Sequence, residues 1–279
     1  MEKEHRIFVE QGVAAYVDYQ IAHEKEVLRP GAAFPLIQAF LGLNTSEDER
    51  QIEVVVMSKN SADASLRIFC SIAHYGLDIT RAALTTGAPI APYLQAYGVD
   101  LYLSFSADDV KDALASGVAA GLLLQSPDIM PKPIQQIRIA FDGDAVLFSP
   151  EAEDVFLREG KEAFCISEKE NALVPLAPGP FAHILRLVAQ IQKSSAENEP
   201  PIRTALVTAR SAPAHERVIR TLQAWGVRID EAFFLGGMDK SCVLEAFGAH
   251  IFFDDNETNT ESASKVVLSA QVPRLENIA

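Results

Sequence analysis

The sequence lacks the features of a membrane-spanning or secreted protein. None of its apolar runs approaches the roughly 20 residues that a helix needs to cross a bilayer. It begins Met-Glu-Lys-Glu-His, a charged start without the apolar stretch of a signal peptide. Its 3 cysteines are too few and too widely separated for a disulfide framework or a zinc site. We therefore expect a cytoplasmic protein with reduced thiols and no membrane contact.

Positive charge is also scarce. The chain has 24 lysines and arginines against 38 aspartates and glutamates, a formal net charge of −14. Such a surface repels a phosphate backbone, so we expect no nucleic-acid partner. A small phosphate ester would be repelled as well, so phosphate chemistry here requires a local positive centre.

What the sequence does contain is an internal repeat. Residues 58–105 align without gaps with residues 208–255, and 11 of the 48 aligned positions are identical. Upstream, the match continues at an offset of 148 through Phe8/Phe156, Gly12/Gly160 and Gly31/Gly179. In each copy, apolar strand-like runs alternate with helical stretches that end at glycine. The alternation predicts an α/β fold with a parallel, Rossmann-like sheet and helices on both faces.

The repeat also predicts the domain organisation. Residues 1–130 form a first α/β half, and residues 131–279 form a second half that opens with an extra strand, 137–141. The proline-rich stretch 125–133 interrupts both helix and strand and predicts a linker between the halves. Within the second half, the stretch at about 150–200 is mostly helical in pattern.

Candidate catalytic residues follow the first strand of the second half. The segment Phe141-Asp-Gly-Asp144 delivers two carboxylates, Asp142 and Asp144, at alternate positions of an extended chain. Such neighbours point the same way, so one can attack while the other transfers a proton. Alone, an Asp-x-Asp pair is more often a turn or a pair of solvated acids.

Three later segments place further polar residues at strand ends, where open α/β sheets bind ligands. Thr208 ends an apolar strand, Arg210 follows it, and both suit a phosphate, although a threonine in such a place is, taken alone, more often a plain helix cap. Lys240 follows two glycines and can reach a phosphate as a point charge, although most lysines are solvated. Asp254 and Asp255 end an apolar strand and suit a hard cation, or cap a turn.

Taken in order, these four segments resemble the four motifs of the haloacid dehalogenase superfamily. A narrower resemblance is to the cytosolic 5′-nucleotidase I family. It rests on the following stretches: Phe141–Ser149, Leu206–Ala212, His250–Asp255 and, in the first half, His74–Arg81. The resemblance implies a haloacid dehalogenase-type fold with a small helical cap inserted at about 150–200. It also implies Mg²⁺-dependent hydrolysis of nucleoside 5′-monophosphates such as AMP in the cytosol.

The resemblance also implies the role of each site residue. Asp142 is the nucleophile that becomes an aspartyl phosphate, and Asp144 is the general acid and base. The phosphoryl group is bound by Thr208 and Lys240, with Arg210 as a further contact. The implied Mg²⁺ ligands are Asp142, the backbone carbonyl of Asp144, Asp254 and Asp255.

The first half carries the fold signal without this chemistry. It has Ser58, Ile90, Ser104 and Phe105 where the second half has Thr208, Lys240, Asp254 and Asp255. We interpret it as a degenerate, non-catalytic half that serves mainly as a scaffold; subunit pairing and binding of a regulatory nucleotide are the alternatives. The sequence leaves open whether the protein forms a homo-oligomer.

Other interpretations of the whole chain stay open at this stage. The enzyme could act on another small phosphate ester, or transfer the phosphoryl group to a nucleoside. A nucleotide-binding regulator without turnover is the alternative from another class. In the insertion, a phenylalanine (Phe156, Phe164 or Phe181) could stack on a base, but core packing is the expectation for each. Glu168 and Lys169 are expected on a solvated face, and His183, His215 and His250 are expected to be structural or surface residues.

Overall fold

The computed structural model describes residues 2–44, 50–124, 133–194 and 200–275. The chain divides into two compact units. The first contains Met1–Ala96 with Pro131–Pro133, and the second contains Tyr97–Met130 with Ile134–Ala279. Among the described residues, none of the helices combines the length and apolar character needed to cross a bilayer.

The first unit contains helices packed with a small parallel sheet. Its elements are α1 (Glu2–Ala22), α2 (Phe34–Leu41), β1 (Val55–Ser58), α3 (Leu66–His74), β2 (Arg81–Leu84) and α4 (Ala91–Ala96). Strands β1 and β2 pair in parallel.

The second unit is built on a seven-stranded sheet with the order β3-β4-β9-β8-β5-β6-β7. Its elements are β3 (Leu101–Ser104), α5 (Ala107–Ala115), β4 (Ala119–Leu123), β5 (Ile137–Phe141), α6 (Glu151–Glu170), α7 (Ala182–Ser194), β6 (Ile202–Thr208), α8 (His215–Trp225), β7 (Glu231–Phe234), α9 (Ser241–Phe247), β8 (Ile251–Asp254), α10 (Glu257–Ala263) and β9 (Leu268–Gln271). The strand pairs are parallel except β4–β9. This confirms the predicted α/β class and the parallel, Rossmann-like sheet.

Strand β5 lies inside the seven-stranded sheet, between β8 and β6. A strand that is covered on both edges and both faces has an almost continuous apolar sequence, and all of β5 except Arg138 is buried. Aromatic rings pack around its end: the Phe141 ring stacks on Phe253 at 5.6 Å, and Phe181 lies 4.6 Å from Phe253. The core position expected for Phe181 is therefore confirmed.

The sequence repeat is also a structural repeat. Helices α1 and α6 are both kinked, at Gly12 (φ 84°) and at the aligned Gly160 (φ 87°). The pairing register is the same in both copies, because Val55 faces Arg81 as Ala205 faces Glu231, a shift of 150 on each strand.

Individual hydrogen bonds repeat as well. The guanidinium of Arg67 donates to the carbonyl of Glu26, and that of Arg217 donates to the carbonyl of Val174, each at 2.8 Å. On the neighbouring strands, the ion pair between Arg81 and Glu53 has its counterpart in Arg203 and Glu231, with the two charges exchanged. The two halves therefore share a strand register and individual side-chain contacts, which supports our interpretation of the first half as a degenerate copy of the second.

The compact units do not divide where the repeat does. The repeat places the boundary near residue 130, whereas the second unit begins at Tyr97. The reason is strand pairing, since β3 and β4 belong to the seven-stranded sheet and β4 pairs antiparallel with β9. Strands β4 and β9 occupy equivalent places in the two copies of the repeat.

The division into halves at residues 130 and 131 stays a prediction. Most of the predicted linker at 125–133 lies outside the described residues, as do residues 195–199 of the insertion. The insertion itself is largely helical: α6 fills its beginning and α7 most of its second part.

Gly179 provides a test of how tightly the backbone packs against the segment that follows β5. A Cβ atom there would lie 2.5 Å from the carbonyl oxygens of both Val146 and Phe148, whereas one at the aligned Gly31 would meet nothing within 4 Å. Because backbone cannot yield as a flexible side chain can, we expect Gly179→Ala to lower the free energy of unfolding by about 1–3 kcal/mol. Gly31→Ala is the matched control and should change it by less than about 0.5 kcal/mol. Urea denaturation of both variants measures the difference, and equal effects would contradict the packing argument.

Candidate active site

The carboxyl ends of three adjacent strands bring the predicted site residues together. Because β8, β5 and β6 are parallel neighbours, Asp254, Asp142 and Thr208 reach the same edge of the sheet. The backbone NH of Asp142 donates to the carbonyl of Phe253 at 2.8 Å, which continues the strand pairing to the site. All three side chains are buried, with Asp254 fully enclosed.

Lys240 is the positive centre of this site. It lies immediately before helix α9, and its Nζ atom donates to Asp142 Oδ1 at 2.5 Å and to Asp254 Oδ2 at 2.6 Å. Burial lowers the pKa of the Lys240 ammonium, but attraction to the two carboxylates outweighs burial and raises it overall. The lysine is therefore held charged between two acids.

The carboxylates form a cluster suited to a metal ion. One oxygen from each of Asp142, Asp254 and Asp255 lies within 4.8 Å of the others. A donor set made only of carboxylate oxygens fits a hard divalent cation. The side chain of Asp144 is outside this set among the described residues, which leaves its backbone carbonyl as the predicted contact.

Burial dominates the electrostatics of Asp142. Desolvation raises the pKa of its carboxyl well above the usual value, Asp254 and Asp144 raise it further, and Lys240 opposes the shift. Burial and the neighbouring carboxylates therefore disfavour the ionised form of Asp142, and a further cation beside it would favour that form.

Asp144 is held by a different cation, Arg210. The Nε and Nη2 atoms of Arg210 donate to Oδ2 and Oδ1 of Asp144, each at 2.7 Å. Its Nη1 donates to Glu168, and Glu168 also accepts from Arg217 at 2.7 Å. Burial lowers the pKa of Arg210, but its bonds to Asp144 and Glu168 outweigh burial and raise it.

This network corrects the expectation for Glu168. The side chain is 1% exposed, so it does not lie on a solvated face as its charged neighbours in the sequence indicated. Phe164, by contrast, lies beside the network, with the Arg210 guanidinium 5.5 Å from the centre of its ring.

Thr208 and Gly143 fit closely at the end of β6 and β5. The Thr208 hydroxyl accepts from the backbone NH of Arg210 at 3.2 Å, in the manner of a turn that opens toward the following loop. A Cβ at Gly143 would lie 3.2 Å from that hydroxyl. The small residue between the two acids therefore lets the two strand ends approach each other.

Arg274 is a site residue that the sequence did not indicate. It donates to Asp255 at 2.6 Å and also bonds Glu153 near the start of α6. Burial raises the pKa of Asp255, and Arg274 opposes the shift. Burial and the nearby Asp255 also raise the pKa of Glu153. No local sequence pattern marks Arg274, because its partners lie far away along the chain.

The histidines lie outside this cluster, as expected. The His250 ring accepts a hydrogen bond from the backbone NH of Arg138 at 3.0 Å, and burial together with Arg138 lowers its pKa. His183 contacts Asp100 on the surface.

Comparison with known proteins identifies the family. The sequence profile of the 5′-nucleotidase family matches residues 1–277. The chain belongs to the 5′-nucleotidase family. It is 38% identical over 272 residues to human cytosolic 5′-nucleotidase 1B, an alignment that covers 94% of this chain and 45% of the relative. The chain thus spans about half the length of the curated relative that it matches. No solved structure matches it.

Family membership agrees with the resemblance inferred from the four motifs. The motif residues converge in the second unit, where carboxylates, a lysine and an arginine meet at the ends of β5, β6 and β8. The individual role of each site residue stays a prediction, and the geometry shows which of these residues contact one another. The residues are Asp142, Asp144, Thr208, Arg210, Lys240, Asp254 and Asp255.

Proposed function

We propose that the protein is a 5′-nucleotidase that hydrolyses nucleoside 5′-monophosphates, AMP among them, to nucleoside and phosphate. The observation that carries the proposal is the difference in surroundings between two neighbouring acids. Asp142 lies in the carboxylate cluster with Lys240, while Asp144 is held apart from that cluster by Arg210. Two carboxylates in such different surroundings suit a nucleophile and a proton-transfer group.

In the proposed reaction an oxygen of Asp142 attacks the phosphorus atom. The bond from phosphorus to the 5′-oxygen breaks, and that oxygen keeps the electron pair and takes a proton from Asp144. Asp144 then removes a proton from the water that attacks the aspartyl phosphate, which regenerates Asp142. Thr208 and Lys240 donate hydrogen bonds to the phosphoryl oxygens and offset their charge.

We propose Mg²⁺ as the cation of this site. Asp142, Asp254, Asp255 and the backbone carbonyl of Asp144 would hold it, and all of these donors are oxygens. When bound, the ion neutralises charge on the phosphoryl group and on the surrounding acids. Without a cation, a dianionic substrate would meet a buried cluster of three carboxylates that is offset by Lys240 and, at Asp255, by Arg274.

Metal binding should be measurable as stability. A ligand present at 100 times its dissociation constant stabilises the folded state by about 2.7 kcal/mol. We expect Mg²⁺ to raise the unfolding temperature of the EDTA-treated protein, and Asp254→Asn to remove most of that rise. Asp239→Asn is the control, because this exposed acid precedes Lys240 but bonds Ser241 and Ser262 instead of the cluster. An undiminished shift in Asp254→Asn would contradict the metal assignment.

The function is tested by phosphate release from nucleoside monophosphates, sugar phosphates and phosphoglycolate, with Mg²⁺ and with EDTA. Mg²⁺-dependent release that favours nucleotides supports the proposal. A preference for other esters would keep the chemistry and replace the substrate class. Nucleoside added as a competing acceptor distinguishes hydrolysis from phosphotransfer, and release from none of the esters would favour a nucleotide-binding regulator.

The compartment is part of the same proposal. The relative's name describes that protein as cytosolic, and we propose the cytosol for this chain as well. The scaffold role of the first half also stays a proposal, and titration calorimetry that finds a second nucleotide site would replace it with a regulatory role.

A further inference from the structure

We propose that Glu168 is a positioning residue that orients the proton-transfer carboxylate of Asp144 through Arg210. This inference rests on the proposed function, because it assigns a purpose to the contacts of the acid-base residue. Because Glu168 lies in helix α6, this helix would affect, through Arg210, the orientation of the acid that follows β5.

The geometry leaves Arg210 little freedom. Each of its three guanidinium nitrogens donates to a carboxylate, two to Asp144 and one to Glu168. A planar group fixed at three corners cannot rotate, and its fork therefore fixes the plane of the Asp144 carboxylate. The two bonds occupy only part of the acceptor capacity of Asp144, so lone pairs remain for the proton that it transfers.

Glu168 is itself fixed from the other side. Its Oε1 atom accepts from Arg217, whose Nε donates to the carbonyl of Val174. Two arginines thus alternate with two carboxylates in a buried, charge-balanced row, with Arg210 and Glu168 almost without exposure. Such a row maintains its geometry only while every member is present.

The first half of the chain shows that the fold does not require this row. Its position equivalent to Glu168 is Gln20, buried at 5% exposure, and its position equivalent to Arg210 is Asn60. Asn60 donates to the Tyr16 hydroxyl, and Arg67, the counterpart of Arg217, bonds Glu4 instead. The half without paired acids therefore has neutral residues where the half with the acids has a carboxylate and a guanidinium. The Glu168–Arg210 pair therefore occurs only in the half that has the paired acids, whereas an arginine at the position of Arg217 occurs in both halves.

The comparison also supplies the test variant. Glu168→Gln introduces the residue that the first half has at the same place, so the fold is expected to tolerate it. Its kcat with a nucleoside monophosphate should fall by about 10–100-fold, a part of the 10²–10⁴-fold that general acid-base catalysis contributes. KM should change little, because Glu168 contacts no substrate in the proposed reaction.

An aryl phosphate separates positioning from a structural defect. Its phenolate leaves without protonation, so formation of the aspartyl phosphate needs no acid. With p-nitrophenyl phosphate, Glu168→Gln should release one equivalent of nitrophenol in a rapid burst and then turn over slowly, since water attack still needs Asp144. A loss of folded protein would instead reduce the burst and the nucleotide reaction together.

The matched control is Glu4→Gln, which removes the carboxylate from the equivalent buried arginine of the first half. It should cost similar stability and leave the ratio of aryl burst to nucleotide turnover unchanged. If Glu168→Gln does not fold, Arg210→Asn is judged by the same two measurements. A burst lost with either variant in folded form, or an unchanged kcat in Glu168→Gln, overturns the inference. If the parent protein releases no phosphate from nucleotides, the proposed function fails first and this inference with it.

Discussion

Asp142→Asn is expected to reduce the turnover of nucleoside monophosphates by at least about 10⁴-fold, because an amide cannot form the aspartyl phosphate. The carboxylate that it replaces lies at the end of the central strand, with Lys240 donating to it and Asp254 beside it in the same cluster. Steady-state phosphate release, compared with the Asp239→Asn control, measures the loss. Turnover close to that of the parent would remove Asp142 from the mechanism.

The same variant should remain folded, for an electrostatic reason. The folded-state pKa of Asp142 is raised above its unfolded value, chiefly by burial. Between these two pKa values the folded state binds a proton that the unfolded state has released, so stability falls as the pH rises through this window. Asparagine removes that penalty. At neutral pH and without metal, Asp142→Asn should therefore unfold at the parent's temperature or above it, and a lower temperature would contradict the argument.

Residues at strand ends could be predicted from the sequence because the pattern there is local. The apolar run 137–141 predicted β5 with its observed bounds, and the acids after it follow from the alternation of an extended chain. The carboxyl ends of parallel strands lie at one edge of a sheet, so Asp142, Thr208 and Asp254 were expected at the same edge. Their contact also depends on the strand order, in which β8, β5 and β6 are neighbours, and the sequence did not supply that order.

Glu168 could not be predicted, because its environment is made by residues distant in the sequence. In the chain it stands within Ser-Glu-Lys-Glu at the end of a helix, which is typical of a solvated surface. Its partners Arg210 and Arg217 are 42 and 49 residues away. Arg274 is similar, with 19 and 121 residues between it and its partners. Burial of a charge depends on such pairs, and the local pattern does not contain them.

The boundary between compact units was not predictable for a related reason. Sequence similarity groups residues 97–124 with the first copy, but hydrogen bonding groups β3 and β4 with the seven-stranded sheet of the second unit. The repeat reflects similarity between two segments of the sequence, whereas the extent of a compact unit depends on which strands pair. The antiparallel pairing of β4 with β9 joins a strand of the first copy to a strand of the second, and both strands therefore lie in the second compact unit.

Lys240→Ile is expected to impair both stability and catalysis. Isoleucine stands at the aligned position 90 of the first half, where it is 3% exposed, so its shape suits the equivalent place in the fold. In the second half it would leave Asp142 and Asp254 without the ammonium that bonds both. Removing one partner from a buried ionic group costs about 3–5 kcal/mol. Turnover should fall by about 10²–10³-fold, the usual effect of losing one group that stabilises developing charge.

The pH and metal dependence of this loss identify its cause. Lys240 opposes the rise in the pKa of Asp142, so without the lysine that pKa rises further. The carboxyl can then stay protonated at low pH, and the stability difference from the parent should be largest at neutral pH and shrink as the pH falls. Added Mg²⁺ should recover more stability in the variant than in the parent, because a cation at the same acids replaces the missing charge.

Urea denaturation at pH 5 and pH 7, with and without Mg²⁺, measures these differences, with Lys193→Ile, a change at an exposed lysine, as control. A loss that is independent of both pH and metal would indicate faulty packing of isoleucine instead of an unbalanced charge.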